Sequence, residues 1–286
     1  MKIAVLSGKG GTGKTFVSVN LACAAESAAK HTSNVVYVDC DVEEPNGNLF
    51  LKPTITKVSG VNVTVPSVDN TKCTGCRKCS DFCKYNALAY VKDKLLIFNE
   101  VCHSCGGCII FCPQKALIKR QKEIGFIEEG ISGKTIVFSG NMNTGEVSGV
   151  PIIKELLQKI PDNGSAIIDC PPGSACTVME SIRQVDFCLL VAEPTLFGTH
   201  NLSMVYELVK LLKKPFGVVL NKCLADEENP SEQFCIENRI RIIERIPYDK
   251  EIGKLNSNGL AVVRENVTYK ELFENMLDKL MKENLQ

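Results

Sequence analysis

Two stretches of this 286-residue chain carry residue types and spacings that do chemistry. The first, Gly8-Lys9-Gly10-Gly11-Thr12-Gly13-Lys14-Thr15, fits G-x-x-x-x-G-K-[ST]. Its glycines let successive backbone N–H groups curl around phosphate oxygens. Lys14 is then placed to reach the β- and γ-phosphates and Thr15 to offer its hydroxyl to Mg²⁺, so the motif predicts ATP and Mg²⁺. The second is a duplicated cysteine pattern: Cys73-x₂-Cys76-x₂-Cys79-x₃-Cys83 returns 29 residues later as Cys102-x₂-Cys105-x₂-Cys108-x₃-Cys112, with Ala87-Leu88 returning as Ala116-Leu117. Three thiolates at x₂–x₂ spacing wrap one face of a cubane cluster, whereas zinc sites use two pairs separated by a longer loop. The pattern predicts two [4Fe–4S] clusters.

The elements that position these residues follow from the apolar runs. Lys2 to Ser7 and Val35 to Val38 read as buried strands, the first running into the glycine loop and the second into Asp39-Cys40-Asp41. Further strand-like runs lie at Thr135 to Ser139, Ala166 to Ile168, Phe187 to Ala192, Phe216 to Leu220 and Arg241 to Ile246. Helical patterns separate them, among them Thr15 to Ala29, Val150 to Ile160, Asn201 to Leu212 and Tyr269 to Leu285. Strands alternating with helices predict an α/β fold, a mostly parallel sheet flanked by helices with ligands at the carboxyl ends of the strands. The alternation stops between about Ile55 and Gly133, which encloses the cysteine repeat. Residues 1–58 and 122–286 are therefore expected to form one P-loop domain and 59–121 an insertion within it.

Composition sets limits. The chain has 33 Lys+Arg against 33 Asp+Glu, which removes the bulk electrostatic case for a nucleic-acid or anionic-membrane partner. Fifteen cysteines is several times ordinary usage and an odd number. No secretory signal pattern opens the chain and no eighteen-residue apolar run occurs, so a cytoplasmic location is expected, and there metal binding rather than disulfides explains the thiols. The last helix places Leu272, Phe273, Met276, Leu277, Leu280 and Met281 on one face beside mixed charges, and is expected to pack on the sheet rather than lie on a membrane.

The form Lys-Gly-Gly-x-Gly-Lys-Thr, with Lys9 early in the loop, resembles the deviant phosphate loop of the MinD/ParA/nitrogenase-iron-protein ATPases, and Asp39 to Asn46 resembles their first switch. With the cysteine insert, nearly the whole chain resembles the MinD-superfamily ATPases that contain a ferredoxin domain. The resemblance implies an ATP-dependent homodimer in which Lys9 reaches the partner's phosphates. It implies that Asp41 activates the attacking water, that Asp39 supports the Mg²⁺ shell, and that Asp169 is the Walker B acid and second switch. Asn221 matches the position that holds the adenine edge, and Pro247, with Asp249, another purine-side element. By similarity to two-cluster ferredoxins the fourth cysteine of each run crosses over: one cluster would use Cys73, Cys76, Cys79 and Cys112, the other Cys102, Cys105, Cys108 and Cys83. One departure is Lys84, which follows Cys83 where that pattern has proline.

Of the remaining cysteines, Cys23 and Cys188 are expected in the core, and Cys40 and Cys170 to fill space beside the switch aspartates. Cys176 lies seven residues after Asp169, the offset at which nitrogenase-iron-protein relatives place a ligand of a cluster shared between subunits, which makes it a candidate additional metal ligand. Three functions compete. The first is an ATPase that drives electrons through its clusters to an unidentified redox acceptor. The second is a carrier that delivers iron–sulfur clusters or metal cofactors to an acceptor protein. The third is a positioning ATPase in the manner of MinD and ParA, which would want a membrane helix or DNA-binding face that this sequence does not offer.

Overall fold

Strands that are apolar on both faces can satisfy their backbone groups only against one another, and here they join a single sheet. The computed structural model describes residues 1–28, 35–162, 164–225 and 227–283. β1 (Lys2–Leu6) leads into α1 (Lys14–Ala28), and β2 (Val35–Asp39) into the short α2 (Gly47–Leu51). A long strand, β3 (Thr54–Val68), runs out to a small module of α3 (Lys78–Phe82), the hairpin β4 (Leu88–Val91) and β5 (Lys94–Ile97), and α4 (Gly107–Ile110). β6 (Leu117–Ser132) returns antiparallel to β3 and turns into β7 (Thr135–Met142).

Alternation then resumes through α5 (Val150–Gln158), β8 (Ala166–Asp169), α6 (Cys176–Ser181), β9 (Phe187–Ala192), α7 (Leu196–Leu211) and β10 (Phe216–Cys223). The chain closes with α8 (Pro230–Glu237), β11 (Ile242–Pro247), α9 (Lys250–Ser257), α10 (Val262–Glu265) and α11 (Val267–Glu283). Ala29 and Leu285, expected at the ends of α1 and α11, lie outside the described residues.

The sheet order is β11-β10-β9-β1-β8-β2-β7-β6-β3. Its first seven strands run parallel and the last two antiparallel. The stretch in which alternation stops thus holds the two longest strands of the sheet, of 15 and 16 residues. They escape a search for apolar runs because Thr54 to Val58 of β3 and Ile118 to Gln121 of β6 are exposed. Positions 58/59 and 121/122 fall inside β3 and β6, which pair without a break in the ribbon from Thr54↔Ile131 to Val68↔Leu117, apart from two register shifts. The cysteine-bearing module hangs from the far end of that ribbon.

The period of two along β1 divides the core. Ala4 and Leu6 face a layer containing Ile153 of α5 and Val205 of α7, whereas Ile3 and Val5 face Val17 and Leu21 of α1 and Phe273 and Met276 of α11. Each such side chain contributes roughly 1.5–3 kcal/mol on burial. α11 packs on the sheet through Phe273, Met276 and Leu280, which are fully buried, with the Phe273 ring meeting Phe16 edge-on at 5.8 Å, whereas Met281, expected on the same face, is 48% exposed. Among the described residues no helix is long and apolar enough to cross a membrane. A third, small cluster of Leu88, Leu95, Cys108 and Leu117 is the core of the module. Phe273→Ala is expected to cost about 3–5 kcal/mol in urea unfolding monitored by circular dichroism, through the cavity it leaves against Phe16.

Candidate functional site

The glycine loop leaves β1 and wraps into α1 at the carboxyl edge of the parallel strands, where backbone geometry demands its composition. Gly11 and Gly13 sit at φ +81° and +94°, the left-handed region that a side chain disfavours. A Cβ on Gly13 would run into Asn221 Nδ2, and one on Gly8 into the backbone carbonyl of Asn201. The cleft this loop opens into measures about 840 Å³ and is lined by Lys9 to Gly11, Gly13 to Phe16, Asp41 and, on the far wall, Pro247 to Asp249. That volume suits a nucleotide. The hydroxyl of Thr12 is buried with no hydrogen-bond partner among the described residues, an orphaned polar atom in the wall of a phosphate-sized loop.

Strand register brings the acids together. Asp39 ends β2, Asp169 ends β8, and the two are paired residues of adjacent strands. Lys14 Nζ lies 2.9 Å from Asp169 Oδ1 and 3.3 Å from Asp41 Oδ2, only 6% exposed. Burial works against its charge, but the Asp169 and Asp41 carboxylates outweigh it and hold the ammonium above the ordinary lysine range. Asp39 is completely buried. It accepts hydrogen bonds from the Gly47 N–H at 2.8 Å and the Asp41 N–H at 3.1 Å. Burial, and next the Asp169 charge, push its carboxyl well above the usual carboxylate range. Tyr37 donates its hydroxyl to Asp169 Oδ2 at 3.2 Å, closing the set from beneath.

The other expected residues fall around this cleft with different partners. Thr15 lines it beside Lys14. Asn221, 5% exposed, donates from Nδ2 to the Thr12 carbonyl at 2.8 Å and so holds the loop itself. Pro247 lines the far wall, and Asp249 caps α9 by accepting from the Glu251 N–H at 2.7 Å while the Tyr269 hydroxyl also donates to it. Lys9 is ion-paired with Glu193 of its own chain and lies 4.7 Å from the centre of the Phe197 ring. Glu193 also faces Lys222, whose ammonium donates to the Gly11 carbonyl at 2.7 Å. Burial raises the Glu193 carboxyl, but the Lys9 hydrogen bond and the two cations outweigh it and hold it below the usual range. Glu193 is a neighbour of the phosphate loop that the sequence reading missed; its one signal is position, directly after β9 at the sheet edge where the loop lies. Cys176 begins α6 and is exposed, while Cys23, Cys40, Cys170 and Cys188 are buried as expected.

In the module, Cys79 lies within electrostatic reach of Cys112 and Cys73, and Cys108 within reach of Cys102, Cys105 and Cys83. Cys112 of the second run thus lies near the first run's cysteines, and Cys83 is among the groups whose charge acts on Cys108. Burial first, and then the neighbouring thiols, push Cys108 up to about 11. Cys112 moves the other way: burial is outweighed by backbone N–H groups of Leu117, Ala116, Gln114 and Lys115, with the Ala116 nitrogen 3.2 Å from Sγ. A small cavity is bounded by Cys73, Cys76, Cys79 and Cys112 together with Tyr90 and Leu95. Among the described residues no three His, Cys, Asp or Glu side chains converge on the point a single metal ion would occupy. A cubane does not require that convergence, because each thiolate binds a different iron. An all-thiol donor set of this kind is the chemistry that a [4Fe–4S] cluster takes.

Residues 3–262 match the family model of the CobQ/CobB/MinD/ParA nucleotide binding domain. An uncharacterized protein of Methanocaldococcus jannaschii is 29% identical, over 98% of this chain and 96% of that relative. An iron-sulfur cluster carrier protein of the same organism is 23% identical over 98% of this chain and 83% of its own length. Among solved structures, the septum site-determining protein MinD of Pyrococcus horikoshii, complexed with Mg-ADP, superposes with a TM-score of 0.62 at 17% identity, covering 98% of this chain and 95% of that one, which shows a shared fold.

The raised Asp39 carboxyl sets a sign for pH dependence. From about pH 4 the unfolded chain releases this proton while the folded chain keeps it, so nucleotide-free stability falls as pH rises until the raised pKa is passed. Asp39→Asn, measured by urea unfolding without Mg²⁺ from pH 5 to 7.5, is expected to remove a slope of up to about 1.4 kcal/mol per pH unit. Parallel curves for the two proteins would mean that Asp39 is ionised in the fold.

Proposed function

The chain belongs to the CobQ/CobB/MinD/ParA nucleotide-binding domain family, and from that premise we propose that it is a MinD/ParA-type ATPase whose ATP-dependent homodimerisation governs electron transfer through two [4Fe–4S] clusters to an acceptor protein. The observation that carries this reading is the cavity bounded by Cys73, Cys76 and Cys79 of the first run and Cys112 of the second, with the Ala116 N–H donating to Cys112 Sγ at 3.2 Å. N–H donors on sulfur favour a thiolate and tune a ligated cluster. Cys73, Cys76, Cys79 and Cys112 would hold one cluster and Cys102, Cys105, Cys108 and Cys83 the other. When bound, these groups supply one-electron transfer.

ATP is the substrate of the other site. The N–H groups of residues 10–14 and the Lys14 ammonium receive its phosphates, and Thr15 and Asp39 are the residues to support Mg²⁺. Lys14 is shared between Asp169 and Asp41, so a γ-phosphate that draws it away frees Asp41 to orient the attacking water. Asn221 and Pro247 form the base side of the cleft. Lys9, held by Glu193 within its own chain, is the group that would cross to a second copy. Hydrogen bonds between the cleft and the module support such coupling of nucleotide to clusters. The Met142 N–H donates to the Val42 carbonyl beside Asp41 at 2.8 Å, the Asn143 N–H to Ile124 of β6 at 2.9 Å, and Lys122 joins Glu146 to the Asn99 carbonyl of the module.

The similarity to iron-sulfur cluster carrier proteins favours one second reading, delivery of a cluster to an acceptor, with the exposed Cys176 as an additional ligand. The readings separate on anaerobically purified protein. Electron transfer expects about eight irons and eight sulfides per chain, stable toward apo-acceptor proteins, with an EPR spectrum of the reduced state that changes on adding ATP. A labile excess of iron that disappears in Cys176→Ala would establish the carrier instead. Lys14→Ala is expected to lower ATP turnover by at least about 10²-fold with iron content unchanged. Cys112→Ser is expected to lose roughly half the iron and leave nucleotide affinity intact.

A further inference from the structure

The two cysteine runs are copies in ligand spacing but not in charge. At the offset of 29, Lys72, Arg77, Lys78 and Lys84 of the first correspond to Val101, Gly106, Gly107 and Pro113 of the second. The second copy holds its cysteines without these cations, so they are not needed to shape the cysteine frame. Arg77 makes the point sharply. It sits at φ +60°, where Gly106 takes +71°, so a side chain is kept in a conformation that costs roughly 1–2 kcal/mol relative to glycine. It extends over Tyr90, with the guanidinium 5.3 Å from the ring centre.

The Cys73–Cys76–Cys79–Cys112 cavity is lined by Arg77 and by no Asp or Glu, and Lys78 and Lys115 are chain neighbours of its lining residues Arg77, Cys79, Gln114 and Ala116. All three cations are exposed, and none has a carboxylate within salt-bridge distance among the described residues. From Asp69 to Lys122 the chain carries ten Lys+Arg against four Asp+Glu, although the whole is neutral. Around the second run the outward residues are instead apolar, with Ile110 80% and Phe111 58% exposed.

We propose that the face carrying Arg77, Lys78 and Lys115 is the docking surface for an acidic one-electron carrier protein, and that electrons enter or leave this chain at the Cys73–Cys76–Cys79–Cys112 end. This rests on the electron-transfer reading above. One electron passes between the carrier's redox centre and that end of the module, one partner being oxidised as the other is reduced, with no bond made or broken. Cations beside exposed Cys76 steer a negative surface toward it, and rim charges of this kind act mainly on the association rate and its salt dependence.

The test uses the full chain as purified anaerobically. The probe is an acidic bacterial ferredoxin, with basic cytochrome c and a second copy of this chain as comparisons, and binding is followed by surface plasmon resonance from about 20 to about 300 mM salt. The ferredoxin is expected to bind, cytochrome c not to, and the association rate to fall at least about tenfold over that salt range. Arg77→Glu combined with Lys78→Glu is expected to slow association a further tenfold or more, with iron content, visible spectrum and ATP turnover unchanged, and Ile110→Glu to leave it as in the wild type. Ferredoxin binding that ignores both salt and the charge reversal, preference for cytochrome c, or self-association as the only salt-sensitive event would each overturn the docking surface. Absence of cluster iron from the wild type would instead overturn the electron-transfer reading, which separates the two failures.

Discussion

One buried cation holds the nucleotide site together. Lys14 stands against Asp169 and Asp41 with Asp39 directly alongside, in a place where each unpaired charge would cost several kcal/mol. Three carboxyl groups in so small a volume repel one another, which the ammonium offsets and which, with burial, raises the pKa of Asp39. The rest of the site is arranged to keep that cation there. β1 delivers the loop, β2 and β8 deliver the acids in register, and Tyr37 closes the floor. The same arrangement makes the site responsive, because an arriving triphosphate offers Lys14 a stronger anion than either aspartate.

A second set of charges lies at the rim. Glu193 gathers Lys9 and Lys222, and Lys222 fastens the Gly11 carbonyl, so the outer lysine of the loop is held by its own chain rather than projecting freely. The inner lysine is set by the switch acids and the outer one by the end of β9. The two ends of the phosphate loop are thus controlled from opposite sides of β1, since β8 and β9 are its neighbours in the sheet.

Much of this was legible in the chain itself, and what was legible was local. The phosphate loop and the cysteine runs are short motifs whose spacing is their function, and strands buried on both faces announce themselves as apolar runs. The crossed cysteine sets come only through likeness to two-cluster ferredoxins; in the fold, Cys112 of the second run lines one cavity with Cys73, Cys76 and Cys79 of the first. β3 and β6 were hidden because exposed polar residues, such as Thr56 and Lys57 of β3 and Lys119 and Arg120 of β6, break up their apolar runs. Glu193 and the Asn221 contact to Thr12 were hidden for another reason. They join residues 184 and 209 positions apart, and no local pattern encodes which strand ends become neighbours.

The ribbon has a consequence for how such a chain can arise. Val68 and Leu117 are a directly opposed pair, so the whole module begins and ends within one interstrand spacing, roughly 5 Å. To the sheet, everything between those two residues is equivalent to a hairpin turn. The module can therefore be removed and the ends closed by two residues such as Asn-Gly, or transplanted onto another antiparallel hairpin, without rerouting any parallel strand. Acquiring a cysteine-bearing module of this kind needs no new fold, only a loop at the edge of the sheet that became long enough to have a core of its own.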